Sequence, residues 1–172
     1  TQSKPGLDQL ALDLKKLIAF CPVTDDLLQD STAMGNFLMN NMNSAVQWKI
    51  NDAIINGNGS TQPQGILTSN AIVSVAKENS QAADTIVAGN LAKLYRAMLS
   101  HSGNLIFIAN PDTLDQIMTL TLGDKPVWHG DFSQTPGGTL LGRPLILSDA
   151  CATTGDVGDI ILADMAGYYA IT

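Results

Sequence analysis

Between Ser31-Thr32 and Asn56-Gly57 the chain carries an apolar stripe that is long for a protein of 172 residues. Met34, Leu38, Met42, Val46, Ile50 and Ile54 recur four apart and are joined by Ala45 and Ala53. That spacing predicts one helix over 32–56 whose apolar face drifts slowly around the axis. Asn40, Asn43, Gln47 and Asn51 fill the opposite face. Ser31 and Thr32 offer N-caps and Asn56-Gly57 a C-terminal stop. At 1.5 Å per residue such a helix is a rod of about 36 Å.

The segments on either side are shorter. Leu10, Leu12 and Leu14 alternate with Ala11, Asp13 and Lys15, the period of a half-buried strand within 10–23, which Pro22 ends. Thr24 with Asp25-Asp26 predicts a short capped helix to Asp30. Residues 57–65 (GNGSTQPQG) read as a loop, Ile66-Leu67 and Ala71–Ala76 as short strands, and 77–84 as a surface loop. Asn90 caps a helix bearing Leu91, Leu94, Tyr95, Met98 and Leu99 on one face. Leu105–Ala109 is a fully apolar strand that runs into Asn110-Pro111-Asp112, an N-cap, a first-position proline and a first-turn acid. Leu114, Ile117 and Met118 form the buried face of the helix that follows. Gly123–Gly138 is irregular, and strands are predicted at Thr139–Leu141, Pro144–Ser148, Asp159–Ala163 and Tyr168–Ile171. The fold class is α+β: one long helix leading into a compact lobe.

Composition narrows the function. Charged residues make up only 15% of the chain and the net charge is −7. The nine basic residues are scattered, with only Lys15 and Lys16 adjacent, so a phosphate-gripping surface is not encoded. Large polar but weakly charged surfaces can be buried against neighbours at modest desolvation cost. Cys21 and Cys151 form no C-x-x-C pair, and two buried reduced thiols are expected. No signal-peptide pattern and no apolar run of membrane-spanning length is present, so no membrane partner is expected.

No reactive constellation assembles. Catalytic, cofactor-binding and metal-binding residues are each expected to be absent. His101 sits at a helix end, where the dipole favours a cation, and His129 lies in a loop flanked by Trp128 and Phe132. There is no G-x-S-x-G elbow and no phosphate loop, and Gly57-x-Gly59 follows a helix where a strand would be needed. Asp149, Asp156 and Asp159 lack the alternating ligand pattern of a calcium loop. Met34, Met39 and Met42 are ordinary packing residues first.

The order of segments resembles the HK97-like major capsid proteins of tailed phages. Lys16–Ser31 (KLIAFCPVTDDLLQDS) is similar to the family stretch that leads into the spine helix of the peripheral (P) domain. Gly57-Asn58-Gly59 with Gln62-Pro63-Gln64-Gly65-Ile66-Leu67 is similar to its "P-GIL" turn. Asn110-Pro111-Asp112-Thr113-Leu114, Gly138–Asp149 (GTLLGRPLILSD), Gly158–Asp164 and Tyr168-Tyr169 follow in the family's order. The resemblance implies an HK97-like capsid fold: residues 1–57 as part of the extended loop and the P domain with its spine helix, and 58–172 as a mixed α/β axial (A) domain. It also implies a non-enzymatic phage or prophage shell protein, made in the bacterial host cytoplasm and residing in the virion capsid. Homo-pentamers and homo-hexamers would enclose DNA without specific binding, with a scaffold or maturation protease as further partners and no cofactor. The family's N-terminal arm and outgoing loop strand would precede residue 1, and its closing strands would follow Thr172. No lysine–asparagine cross-link pair is assigned. With neighbours missing, part of the 32–56 helix should be exposed in the isolated chain. Arg143 should lie in a tight connection between two strands and not in an anion site.

Two other readings have distinct consequences. An encapsulin-type compartment keeps the fold and holds a cargo enzyme. A small hydrolase or metal-dependent enzyme requires a pocket bringing His129 and Asp131 together with a further acid or nucleophile.

Overall fold

The computed structural model describes residues 13–24, 32–98, 104–130 and 138–168. Helix α1 spans Thr32–Asn56, the bounds read from the stripe. Helices α2 (Ala88–Ala97) and α3 (Leu114–Thr119) belong to the second lobe. Strands there are β1 (Leu105–Ala109), β2 (Thr121–Leu122), β3 (Lys125–Pro126), β4 (Trp128–His129), β5 (Thr139–Leu140), β6 (Arg143–Leu147) and β7 (Ile160–Asp164). Five of them form a mixed sheet in the order β4-β5-β6-β1-β7, and β2 and β3 make a separate two-stranded ladder.

Strand β1 is an interior strand, flanked by β6 and β7, and its sequence, LIFIA, suits burial on both faces. It runs parallel to β6, with Phe107 opposite Leu145, and antiparallel to β7, with Phe107 opposite Leu162. Phe107 and Ala109 point into a cluster with Leu91 of α2, Ile117 of α3, Val127, Leu140 and Leu145. Ile108 points the other way, into a cluster with Ile55 of α1, Cys151 and Ile161, packed by Ile66 and Leu67. The alternation of a strand therefore divides one apolar run between two cores. The last turn of α1 covers the sheet face opposite α2 and α3.

Asn110 ends β1 and joins three segments. Its side chain accepts from Asp112 N at 3.0 Å and donates to Cys151 O at 2.8 Å, while its backbone N–H donates to Asp159 O at 3.1 Å. The expected cap is present, with a 3₁₀ turn at Pro111–Thr113 before α3.

Several local expectations fail for physical reasons. Residues 13–24 form no strand, although Leu14 falls on the predicted alternation; no described strand lies beside them to complete a ladder. Ile66–Thr68 is a 3₁₀ turn and not a strand, because Thr68 N and Ser69 N bond back to Gly65 O and Ile66 O. Residues 72–76 have no regular secondary structure and pair with nothing among the described strands. Asn90 is not the cap of α2. That position is Val87, and Asn90, three residues in, reaches back to accept from Val87 N at 3.1 Å, which is half of a capping box. The stretch read as irregular holds β3, which pairs with β2 just before it, and β4. The predicted 25–30 helix, Ser31, His101, Asp131, Phe132 and the 169–171 part of the last strand lie outside the described residues; Tyr168 is not in a strand.

Arg143 lies one position past the predicted connection. It opens β6 and pairs with Leu140 across the two-residue turn Leu141-Gly142. Both turn residues have positive φ, 50° and 74°, the primed geometry that matches the twist of a tight hairpin. Glycine suits that backbone and leucine does not.

Candidate assembly surface

The described part of the chain leaves large apolar side chains in water, concentrated on α1 and on the segment before it. Phe37 and Trp48 of α1 are 59% and 55% exposed, and Met39 and Ile50 are 64% and 39% exposed. Each pair is separated by about three helical turns, so each forms a line parallel to the axis. At about 100° per residue the two lines lie on nearly opposite sides of the rod. Between them Met34, Leu38, Met42 and Val46 are half-buried. The expectation of an uncovered helix face is met, and Ile50 of the apolar stripe belongs to the exposed surface.

Residues 17–20 run beside this helix. Leu17, Ile18, Ala19 and Phe20 face Ala45, Val46, Trp48 and Lys49 across an open groove of about 310 Å³. Phe20 is 88% exposed. Monomers rarely keep so many large apolar groups along one surface unless something covers them. Smaller exposed sites are Ile72 and Val73, Leu122 on β2, Ile146 on β6 and Val157.

At its C-terminal end the rod is fixed to the second lobe. Lys49 Nζ donates to Asp52 Oδ2 at 2.7 Å, and Asn56 Nδ2 donates both to Asp52 Oδ1 at 3.0 Å and to Ala150 O at 2.7 Å. The bond from Lys49, then that from Asn56, holds the Asp52 carboxyl below its ordinary value. A depressed carboxyl contributes stability that is complete above its unfolded value, about 3.9, and lost as pH falls through the lower folded value. The wild-type chain should therefore lose stability more steeply than Asp52→Asn below about pH 4, measured as urea midpoints across pH; parallel curves would refute the coupling. Past Asn56 the chain enters a tight loop. A Cβ on Gly57 would collide with the Pro63 and Ala53 carbonyls, and one on Gly65 with Gly57 N and Ile55 O.

The residues considered for chemistry do not converge. His129 is exposed at the end of β4, where its backbone carbonyl accepts from Thr139 Oγ1 at 3.4 Å; Asp131 is outside the described residues. Asp159 is engaged in its own turn, accepting from Gly155 N at 3.0 Å and Ile160 N at 2.7 Å. Among the described residues no three His, Cys, Asp or Glu side chains are placed to hold a metal, and no helix is long and apolar enough to cross a membrane.

The cysteines differ from expectation and from each other. Both are free thiols, but Cys21 is exposed and only Cys151 is buried. Burial, and secondarily the negative charge of Asp159, pushes the Cys151 thiol up to about 11. At neutral pH iodoacetamide should modify Cys21 readily and spare Cys151 until the chain is unfolded, because the thiolate is the reactive form. Equal labelling of both in the folded chain, read by peptide mass mapping, would contradict this burial.

The described residues thus form an exposed apolar helix fixed at one end to a mixed sheet. The model of the phage capsid family matches residues 1–172. The chain belongs to the phage capsid family. The fold is shared with solved capsids. The capsid of an empty GTA particle matches with a TM-score of 0.58 at 19% identity, over 81% of this chain and 51% of that one. The capsid of a native GTA particle matches with a TM-score of 0.58 at 21% identity, over 81% of this chain and 52% of that one. This family member thus spans about half the length of those capsid chains. A search of curated proteins found no match. The α+β capsid fold read from the motif order is the fold observed.

Proposed function

We propose that this chain is the shell-building part of a phage major capsid protein, a structural subunit that self-assembles into pentamers and hexamers of a closed capsid. The observation that carries the reading is the capsid family match along the whole chain. The uncovered apolar rod supplies a physical reason for association: burying apolar surface is the main favourable term in assembly. Residues 1–57 act as a peripheral unit ending at the Gly57 loop, and 58–172 as the axial unit built on the five-stranded sheet. Many modest contacts per subunit, multiplied by symmetry, give a stable lattice from individually weak interfaces. The net charge of −7 suits a shell that encloses DNA without gripping it. The subunit is made in the host cytoplasm and ends in the virion.

The test is to express the full-length protein from which this sequence comes and to examine the product by electron microscopy with mass determination in solution. Closed shells or five- and six-membered rings are expected. A product that stays monomeric with and without its scaffold would overturn the proposal. Cargo protein in place of DNA inside the shells would point to a compartment instead.

A further inference from the structure

Two asparagine–glycine pairs follow one another at the end of α1, Asn56-Gly57 and Asn58-Gly59. We infer that this segment is a fold-gated deamidation site: its asparagines are protected while the chain is folded and become reactive when it is not.

The reaction is intramolecular. The backbone nitrogen of the glycine attacks the asparagine Cγ and loses its proton. The Cγ–Nδ2 bond breaks and ammonia leaves, giving a cyclic imide. Water then opens the ring at either carbonyl, to aspartate or to isoaspartate. Glycine is the most permissive residue to follow the asparagine, since it has no Cβ to obstruct the approach.

The folded chain blocks the attack at both positions. Gly57 N donates to Ala53 O at 3.0 Å in the last turn of α1, and the Asn56 side chain is anchored on Asp52 and Ala150. Gly59 N is directed at Pro63 O, 3.3 Å away, and not at Asn58 Cγ. Asn58 Oδ1 accepts from Ser60 N, Thr61 N and Gln62 N at 3.0, 3.1 and 3.1 Å, and Nδ2 donates to Thr61 Oγ1 at 3.0 Å. Three donors on one carbonyl oxygen would stabilise the oxyanion of an attack at Cγ, so the position of the Gly59 nitrogen is the gate. Without the loop bonds no such restraint operates.

The two products differ in what they do to the fold. Aspartate at 58 keeps the main chain unchanged, and its carboxylate accepts the same three N–H groups. Isoaspartate lengthens the main chain by a methylene in a loop where even a Cβ on Gly57 or Gly65 finds no space. Chains that stay unfolded too long would be chemically barred from rebuilding the junction between rod and lobe, and so withdrawn from the assembling pool.

The test compares the intact chain, folded in buffer and unfolded in urea, at one mildly alkaline pH. Amide-to-acid conversion is located by peptide mass mapping, and Asn79, exposed in the folded chain, serves as the internal reference. Conversion at 56 and 58 relative to Asn79 should be at least about tenfold slower in the folded chain, since reaction must await local opening. Equal relative rates in the two states would overturn the inference. Thr61→Ala, checked for folding by circular dichroism, should accelerate conversion at Asn58 severalfold and leave Asn56 unchanged. An unchanged rate at Asn58 in the folded variant would show that the bond from Nδ2 to Thr61 Oγ1 is not part of the restraint.

Discussion

Phe107→Ala is expected to cost about 3–5 kcal/mol, enough to unfold much of a domain whose total stability is typically about 5–15 kcal/mol. Phe107 is 0% exposed and sits at the middle of the interior strand β1, between Leu145 on β6 and Leu162 on β7. Its ring fills the space between the sheet and the two helices that carry Leu91 and Ile117. Removing it leaves a cavity that the surrounding side chains cannot close, because strand registers on both sides hold them apart. Phe107→Leu keeps most of the volume and should lose no more than about 1.5 kcal/mol. Urea unfolding followed by tryptophan fluorescence measures both. Similar midpoints for Phe107→Ala and wild type would mean that β1 is not the organising strand.

The parts of this fold that were legible in the sequence are those whose signal is local. The α1 bounds follow from a stripe with a capping residue at one end and Asn-Gly at the other. Strand β1 and the turn after it follow from five apolar residues meeting Asn110-Pro111-Asp112. The failures share a cause: they depend on a partner distant in sequence. Alternation at 10–23 marks residues able to pair, but pairing needs a neighbour, and the described residues offer none. Ile66-Leu67 has strand-like residue types, yet carbonyls at Gly65 and Ile66 capture the following amides and make a turn. Asn90 is a good cap by residue type, but its side chain serves Val87 from inside the helix. Cys151 is buried as expected, against Ile55 of α1, but Cys21 is exposed, and residue type alone does not separate the two. The assembly surface was legible only in outline. The stripe showed that the rod was apolar, but which apolar lines the chain covers by itself depends on where the segment 13–24 and the second lobe lie.

Phe37→Asp combined with Trp48→Asp is expected to abolish shell formation in the full-length protein while leaving the subunit folded. The two side chains lie on one line of α1 and are mostly exposed, so their replacement removes little packing from the isolated chain. Surface changes of this kind usually alter stability by no more than about 0.5 kcal/mol, though Trp48 also borders the groove along residues 17–20. At an interface the balance is different. A buried aromatic contributes roughly 1.5–3 kcal/mol, and an aspartate brought into the same place is desolvated without a partner. Each subunit of a closed ring makes the contact twice, once with each neighbour, so the penalty recurs around the ring. Sedimentation and electron microscopy should show at least about a tenfold loss of assembled material, since 1.4 kcal/mol per contact already corresponds to that factor. Asn43→Asp, on an exposed position of the same helix, changes charge without removing apolar surface and should still assemble. Normal shells from the double variant would show that this line of α1 faces solvent in the capsid, and the interface would then be sought on the Met39–Ile50 side.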